Sequence, residues 1–204
     1  MTQTDVLTSI YSSGSLQTIG TEAKLAGERI FFLAGPIDEE AARCMTVQLI
    51  DASRRSPEDI TLFIQSPGGS IEAGMVICDV MNLVEPDVRT VALGTAASMG
   101  AVIFAAGTKG KRFMLPSSRL MIHEPLYTRT EPTSTSDAIR LGEMMTDIKR
   151  RMSTILADAT GQPVEKIEED TKTDKFFTAE EAVAYGLADG IFEPKNFADF
   201  LNTL

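Results

Sequence analysis

The chain has 204 residues, 43% of them hydrophobic and 24% charged, and its 29 acids against 19 Lys and Arg give a formal net charge of −10. That length allows one large domain with a real core, and the balance excludes a disordered chain. The acidic excess excludes a phosphate-backbone partner, because nucleic-acid binding rests on clustered Lys and Arg.

Residues 1–26 are polar and rich in Ser, Thr and Gly, with no sustained period. They read as an N-terminal arm, mobile or peripheral, ahead of one domain over 27–204. "MTQTDVLTSI" has neither a basic n-region nor a long apolar stretch, and the longest apolar run, 99–107, falls far short of the ~20 residues of a membrane span. A reducing, cytoplasmic compartment and no membrane association are the expectations. "RIFFLAGPI" (29–37) reads as a buried strand closed by Gly-Pro, and 38–55 as a helix capped by Asp38 with acids in its first turn. "ITLFIQ" (60–65) is a second strand, followed by the turn "SPGG" and a helix from Ser70 to about Val84.

"VRTVALG" (88–94) is a third strand, leading into "GTAASMGAVIF" and a helix that starts near Ser98. Short strands are expected around "KRFML" and "SRLMIHEP", then a polar stretch, "YTRTEPTSTS". A helix over Asp137–Thr160 sets Leu141, Met144, Met145, Ile148, Met152, Ile155 and Leu156 along one apolar face, of the kind used for a core or a subunit interface. Gly161 and Pro163 stop it, and "TAEE" (178–181) supplies a capping box for "EEAVAYGL". Alternating strands and helices make an α/β chain. The short basic patches at 109–112 and 149–151 read as solvated surface. Cys44 and Cys78, in apolar helical patterns without metal-ligand spacing, read as small buried hydrophobes.

Three features carry chemistry. Ser98 lies where a strand ends and a helix begins, among residues small enough to let a ligand approach, Ala96, Ala97 and Gly100. Local sequence alone favours a simple helix cap there, because a serine nucleophile also needs a base. The only histidine, His123, stands at the polar end of an apolar strand just before a proline, so any imidazole chemistry happens there. A carboxylate would orient it, but spacing does not choose among the 29 acids. Gly68 and Gly69 can hold backbone angles closed to other residues and bare N–H groups that suit an oxyanion. Neither "SPGGS" nor "GTKGKR" fits a nucleotide phosphate loop.

"SPGGS", "GTAASMGA", "KGKRFMLPSSRLMIHEP" and "TGQPVEKIEEDTKTDKFFTAEEAVAYGLADGI" resemble the ClpP family, the proteolytic subunits of the Clp protease, in order over residues 29–193. The resemblance implies the ClpP/crotonase-like α/β fold of stacked ββα units. It further implies Ser98 as nucleophile, His123 as general base, Asp174 and not Asp170 as the third triad member, and the Gly69 and Met99 amides as oxyanion hole. An extended substrate would pair its backbone near Ser70, Ile71 and Leu126. Implied partners are a ring of like subunits (a heptamer or two stacked heptamers) or one shared with a paralogous subunit, an AAA+ unfoldase that supplies ATP hydrolysis, and unfolded polypeptides. No cofactor or metal is implied.

The sequence departs from that family in four places, one of them the N-terminal arm, which lacks the family's pattern. Glu124 stands where the family has Gln, the segment after Pro125 lacks the usual glycines, and Thr173 replaces an Arg that joins rings. Two alternatives therefore stay open: a catalytically silent or partner-dependent subunit of a mixed ring, and a crotonase-type acyl-CoA enzyme with the same fold.

Overall fold

The computed structural model describes residues 7–12, 15–127 and 134–192. Most of the polar stretch expected after Leu126 lies outside those residues, at 128–133, as do parts of the N-terminal arm.

Three apolar runs form the parallel centre of the sheet: β3 (Ile30–Ala34), β4 (Ile60–Ser66) and β5 (Val88–Ala97), in register Ile30↔Thr61 and Ile60↔Val88. Parallel neighbours need a crossover, and helices α2 (Glu39–Arg55) and α3 (Ile71–Leu83) provide it. The Asp38 carboxylate caps α2 by accepting the Ala41 N–H at 2.8 Å, and Ala42, Met45, Leu49 and Ala52 turn one face of that helix into the core. Between β5 and the next strands lies α4 (Met99–Ala105), every residue of which is buried.

Strand β5 is longer than its 88–94 sequence signal and has two further partners. Its first half pairs with β6 (Arg112–Met114), through Thr90↔Arg112, and its end with β7 (Arg119–Ile122), through Ala97↔Met121. β8 (Lys175–Phe177) adds antiparallel to β7, and β9 (Gly190–Ile191) parallel to β6. The expected alternation of strands and helices is thus present, with a mostly parallel sheet.

The helix expected over 137–160 runs as α5 (Thr135–Thr160), two residues earlier because the Ser134 hydroxyl caps it. Met152 and Leu156 are buried and Ile148 and Ile155 pack on the core, whereas Met144 and Ile139 stay exposed, so only the second half of the apolar face is covered by the described chain. α7 (Ala179–Tyr185) begins with the expected capping box between Thr178 and Glu181. Among the described residues no helix is long and apolar enough to cross a membrane.

Several elements had no sequence signal. β1 (Leu7–Ser12) and β2 (Ser15–Gly20) pair as an antiparallel hairpin followed by α1 (Thr21–Gly27), in the region read as an arm without period. α6 (Val164–Asp170), β8 and β9 are too short for a period to show. One expectation is corrected: Cys78 is buried, and burial pushes its thiol up to about 12, but Cys44 is only partly buried, with its thiol against Glu40 at 3.4 Å.

Arg112, 2% exposed, ties the far side of the sheet together. Its guanidinium donates to both Asp189 oxygens, at 2.8 and 2.7 Å, and to the Ala159 carbonyl at the end of α5. Burial pushes the Asp189 carboxyl up, but hydrogen bonds from Arg112 and the Gly110 amide outweigh it and hold the group below its ordinary range. A depressed folded-state value means stability that is complete above the unfolded carboxyl value of about 4 and is lost as pH falls through the folded one. Thermal midpoints should therefore stay level from about pH 7 to 5 and drop below about pH 4, with a shallower drop in Asp189→Asn.

Candidate active site

The end of β5 delivers Ser98. Its amide continues the β5·β7 pairing by donating to the Met121 carbonyl at 2.8 Å, and the chain then turns into α4. The turn needs φ +54° at Ser98, a conformation that non-glycine residues rarely adopt. Such strain persists only where the surroundings enforce it, and it projects the hydroxyl away from the backbone that a cap would serve. The Ser98 side chain makes no capping bond. The cap favoured by local sequence is absent, and its oxygen instead lies 2.8 Å from Nε2 of His123.

Strand register explains that meeting. Ala97 pairs with Met121, so the residues that follow, Ser98 on one strand and Ile122 and His123 on the other, leave the same sheet edge. The antiparallel partner supplies the acid by the same logic. Ile122 pairs with Lys175, which sets Asp174 opposite His123. Asp174 Oδ1 stands 3.6 Å from His123 Nδ1, at ion-pair range but longer than a hydrogen bond. The imidazole is 13% exposed and the carboxylate 60%, so the ring is sheltered and the carboxylate is open to solvent. Asp170 lies elsewhere, with its oxygens on Lys166, Lys175 and Tyr185.

The glycine turn walls the other side. Ile37 forms a parallel bridge to Gly69, with its N–H on the Gly68 carbonyl and its carbonyl on the Ser70 N–H. In that bridge the Gly69 amide faces away from Ile37. Among the described residues it has no acceptor, and neither has the Met99 amide in the first turn of α4. Gly68 lies directly on the serine: a Cβ there would stand 2.6 Å from Ser98 Cβ. At Gly69 a Cβ would meet the Ile37 carbonyl oxygen at 2.2 Å, and φ is +155°. Gly69→Ala should therefore push this turn away from Ser98 and lower kcat by about tenfold or more with the fold retained, as turnover assays and circular dichroism would show.

Of the residues expected along an extended substrate, Ser70 and Ile71 follow directly on this turn. Ser70 donates its N–H to Ile37 at 2.7 Å, and its carbonyl accepts the Gly74 N–H at 3.0 Å, so its backbone is already committed within the chain. Its hydroxyl caps α3 by accepting the Ala73 N–H at 3.2 Å. Ile71 opens α3, where first-turn amides have no partner within the helix, and Leu126 is 72% exposed past His123.

The serine at positive φ on the imidazole, the Asp174 carboxylate beside that ring and the glycine turn against Ser98 form one cluster. Comparison with known protein families matches the Clp protease family over residues 13–195. The chain belongs to that family. Clp protease membership makes it a peptidase, a hydrolase of peptide bonds, and the mixed α/β architecture with its mostly parallel sheet fits the ClpP fold. The same membership implies an oligomeric protease assembly.

Proposed function

We propose that this Clp protease chain is a serine endopeptidase subunit that cuts unfolded polypeptides with Ser98, His123 and Asp174. The observation that carries the reading is the 2.8 Å contact between Ser98 Oγ and His123 Nε2 at a serine held at positive φ. His123 Nε2 takes the hydroxyl proton as Oγ bonds to the substrate carbonyl carbon. The resulting oxyanion accepts hydrogen bonds from the Gly69 and Met99 amides, while Asp174 supports the imidazolium. The imidazolium then gives its proton to the leaving nitrogen, the C–N bond breaks, and an acyl ester remains on Ser98. Water, deprotonated by His123, attacks that ester and restores the serine.

An extended substrate pairing with backbone near Ser70, Ile71 and Leu126 is read through its main chain, which gives broad sequence tolerance. Selection then falls to the assembly: a closed ring of subunits in the cytoplasm, fed by an AAA+ unfoldase that consumes the ATP. The exposed apolar residues on the first half of α5, Ile139 and Met144, support a subunit contact there.

A second reading has one observation in its favour. With Asp174 3.6 Å from His123 and 60% exposed, the isolated chain has an open third contact, as expected of a subunit activated by a partner. Fluorophosphonate labelling with peptide mapping tests both. Modification of Ser98 in the homo-oligomer supports the first reading, and modification only after a paralogous subunit is added supports the second. An assembled protein that labels under neither condition overturns both.

A further inference from the structure

We propose that Asp170 is a positioning residue for the Asp174 carboxylate, closing the turn that presents Asp174 to His123. The inference rests on the triad reading above and adds a residue to it.

Asp174 has little packing to hold it. Lys172, Thr173 and Asp174 are all exposed, and an exposed turn samples many conformations unless its ends are tied. Both ends here meet at Asp170. It ends α6 just before the turn, and its Oδ1 accepts from Lys175 Nζ at 2.8 Å, the residue just after Asp174. One ion pair therefore spans 170 to 175 and fixes the residues between.

Asp170 is itself firmly placed. Its Oδ2 accepts from the Tyr185 hydroxyl at 2.6 Å and from Lys166 Nζ at 2.8 Å, and the carboxylate side chain is 16% exposed. Lys175 Nζ also lies 5.1 Å from the centre of the Tyr185 ring and 5.7 Å from that of Phe177, so its ammonium is held on two sides. Burial pushes the Asp170 carboxyl up, but the bonds from Lys166, Lys175 and Tyr185 together hold it well below the usual carboxylate range. The anchor therefore stays charged wherever a histidine base is active. A second tie meets the start of the turn, where the Glu124 amide, next to His123, donates to the Thr171 carbonyl at 2.7 Å. The base and the turn that carries the acid thus share a hydrogen bond, and Asp170 closes the remaining side.

A merely structural ion cluster and a positioning residue differ in one measurable way. If Asp170 acts through Asp174, its removal costs nothing once Asp174 has gone. The experiment measures the rate of Ser98 inactivation by a fluorophosphonate from about pH 5 to 9, with kcat and KM on a short peptide, in the assembled protein. The variants are Asp170→Asn, Asp174→Asn, the double variant, and Asp170→Glu.

Asp170→Asn should slow inactivation and kcat by about tenfold, leave KM within about twofold, and move the acid limb of the profile to lower pH as the imidazolium loses support. In the Asp174→Asn background it should change neither rate by more than about twofold. Asp170→Glu, which keeps the charge, should recover most of the loss. An equal slowing in both backgrounds overturns the proposal, as does an unchanged rate and profile in Asp170→Asn alone. Wild-type rates in Asp174→Asn overturn the triad reading itself, a separate result, and the proposal with it. Lys175→Met cuts the same tie from the other end at a partly exposed position, and serves if Asp170→Asn fails to assemble. It should slow inactivation about threefold or more, but only with Asp174 present, and an unchanged rate overturns the proposal.

Discussion

Ser98→Ala should lower peptide hydrolysis by on the order of 10⁵- to 10⁶-fold and remove all fluorophosphonate labelling, while the protein keeps its fold and assembly. The size follows from the role proposed for the oxygen: in that mechanism no acyl intermediate forms without Oγ, and only the amides of Gly69 and Met99 would be left to assist water. The fold survives because the backbone bond from residue 98 to the Met121 carbonyl does not involve the side chain, and the hydroxyl makes no capping bond. The lost contact to His123 costs about 1 kcal/mol of stability, typical of one hydrogen bond. His123→Ala should fall nearly as far, and the double variant no further, because nucleophile and base act as one unit. Kinetics on an internally quenched peptide check all three. Turnover by Ser98→Ala within about tenfold of the native rate would place the nucleophile elsewhere.

Asp189→Ala is the substitution with the largest expected effect on stability, about 3–5 kcal/mol. Arg112 is 2% exposed and charged, and Asp189 neutralises it with two side-chain hydrogen bonds. Without Asp189 the guanidinium keeps, among the described residues, only the Ala159 carbonyl and remains a buried, uncompensated cation. The Asp189 carboxylate also accepts the amides of Gly110 and Arg112, so the turn before β6 loosens as well. Replacing both partners by apolar residues, Arg112→Met with Asp189→Leu, should recover most of the loss, since the penalty comes from the stranded charge. Denaturant midpoints at fixed protein concentration distinguish the outcomes. Equal losses in the single and double variants would mean that packing, and not charge, dominates there.

The fold was legible wherever the chain carried a long signal. The apolar runs at 29–37, 60–65 and 88–94 became the parallel strands, the caps expected at Asp38 and Thr178 began their helices, and the helices expected from Ser70 and Asp137 began at caps on Ser70 and Ser134. What escaped was short or non-local, apart from the local β1–β2 pair, whose six-residue strands carry no apolar period. β8 has three residues and β9 two, and each exists because a distant strand offers it a ladder. Asp170 shows the same limit at the site. Four residues from Asp174 and equally acidic, it is distinguished by its partners Lys166, Lys175 and Tyr185, four, five and fifteen residues away.

The sequence by itself determined which chemical groups were available: one imidazole, one serine at a strand-to-helix junction, and a Gly-Gly turn. It also carried the motifs that resemble the ClpP family. The tertiary structure decided the distances. Ser98, His123 and Asp174 are separated by 25 and 51 residues, and only the registers Ala97↔Met121 and Ile122↔Lys175 bring them to one edge of the sheet. The same geometry took Ser98 out of a capping role, by giving it a positive φ that turns the hydroxyl toward His123. Local patterns fix what each residue can do, whereas register couples strands far apart in sequence, and a shift of one residue would have turned every one of these groups to the other face.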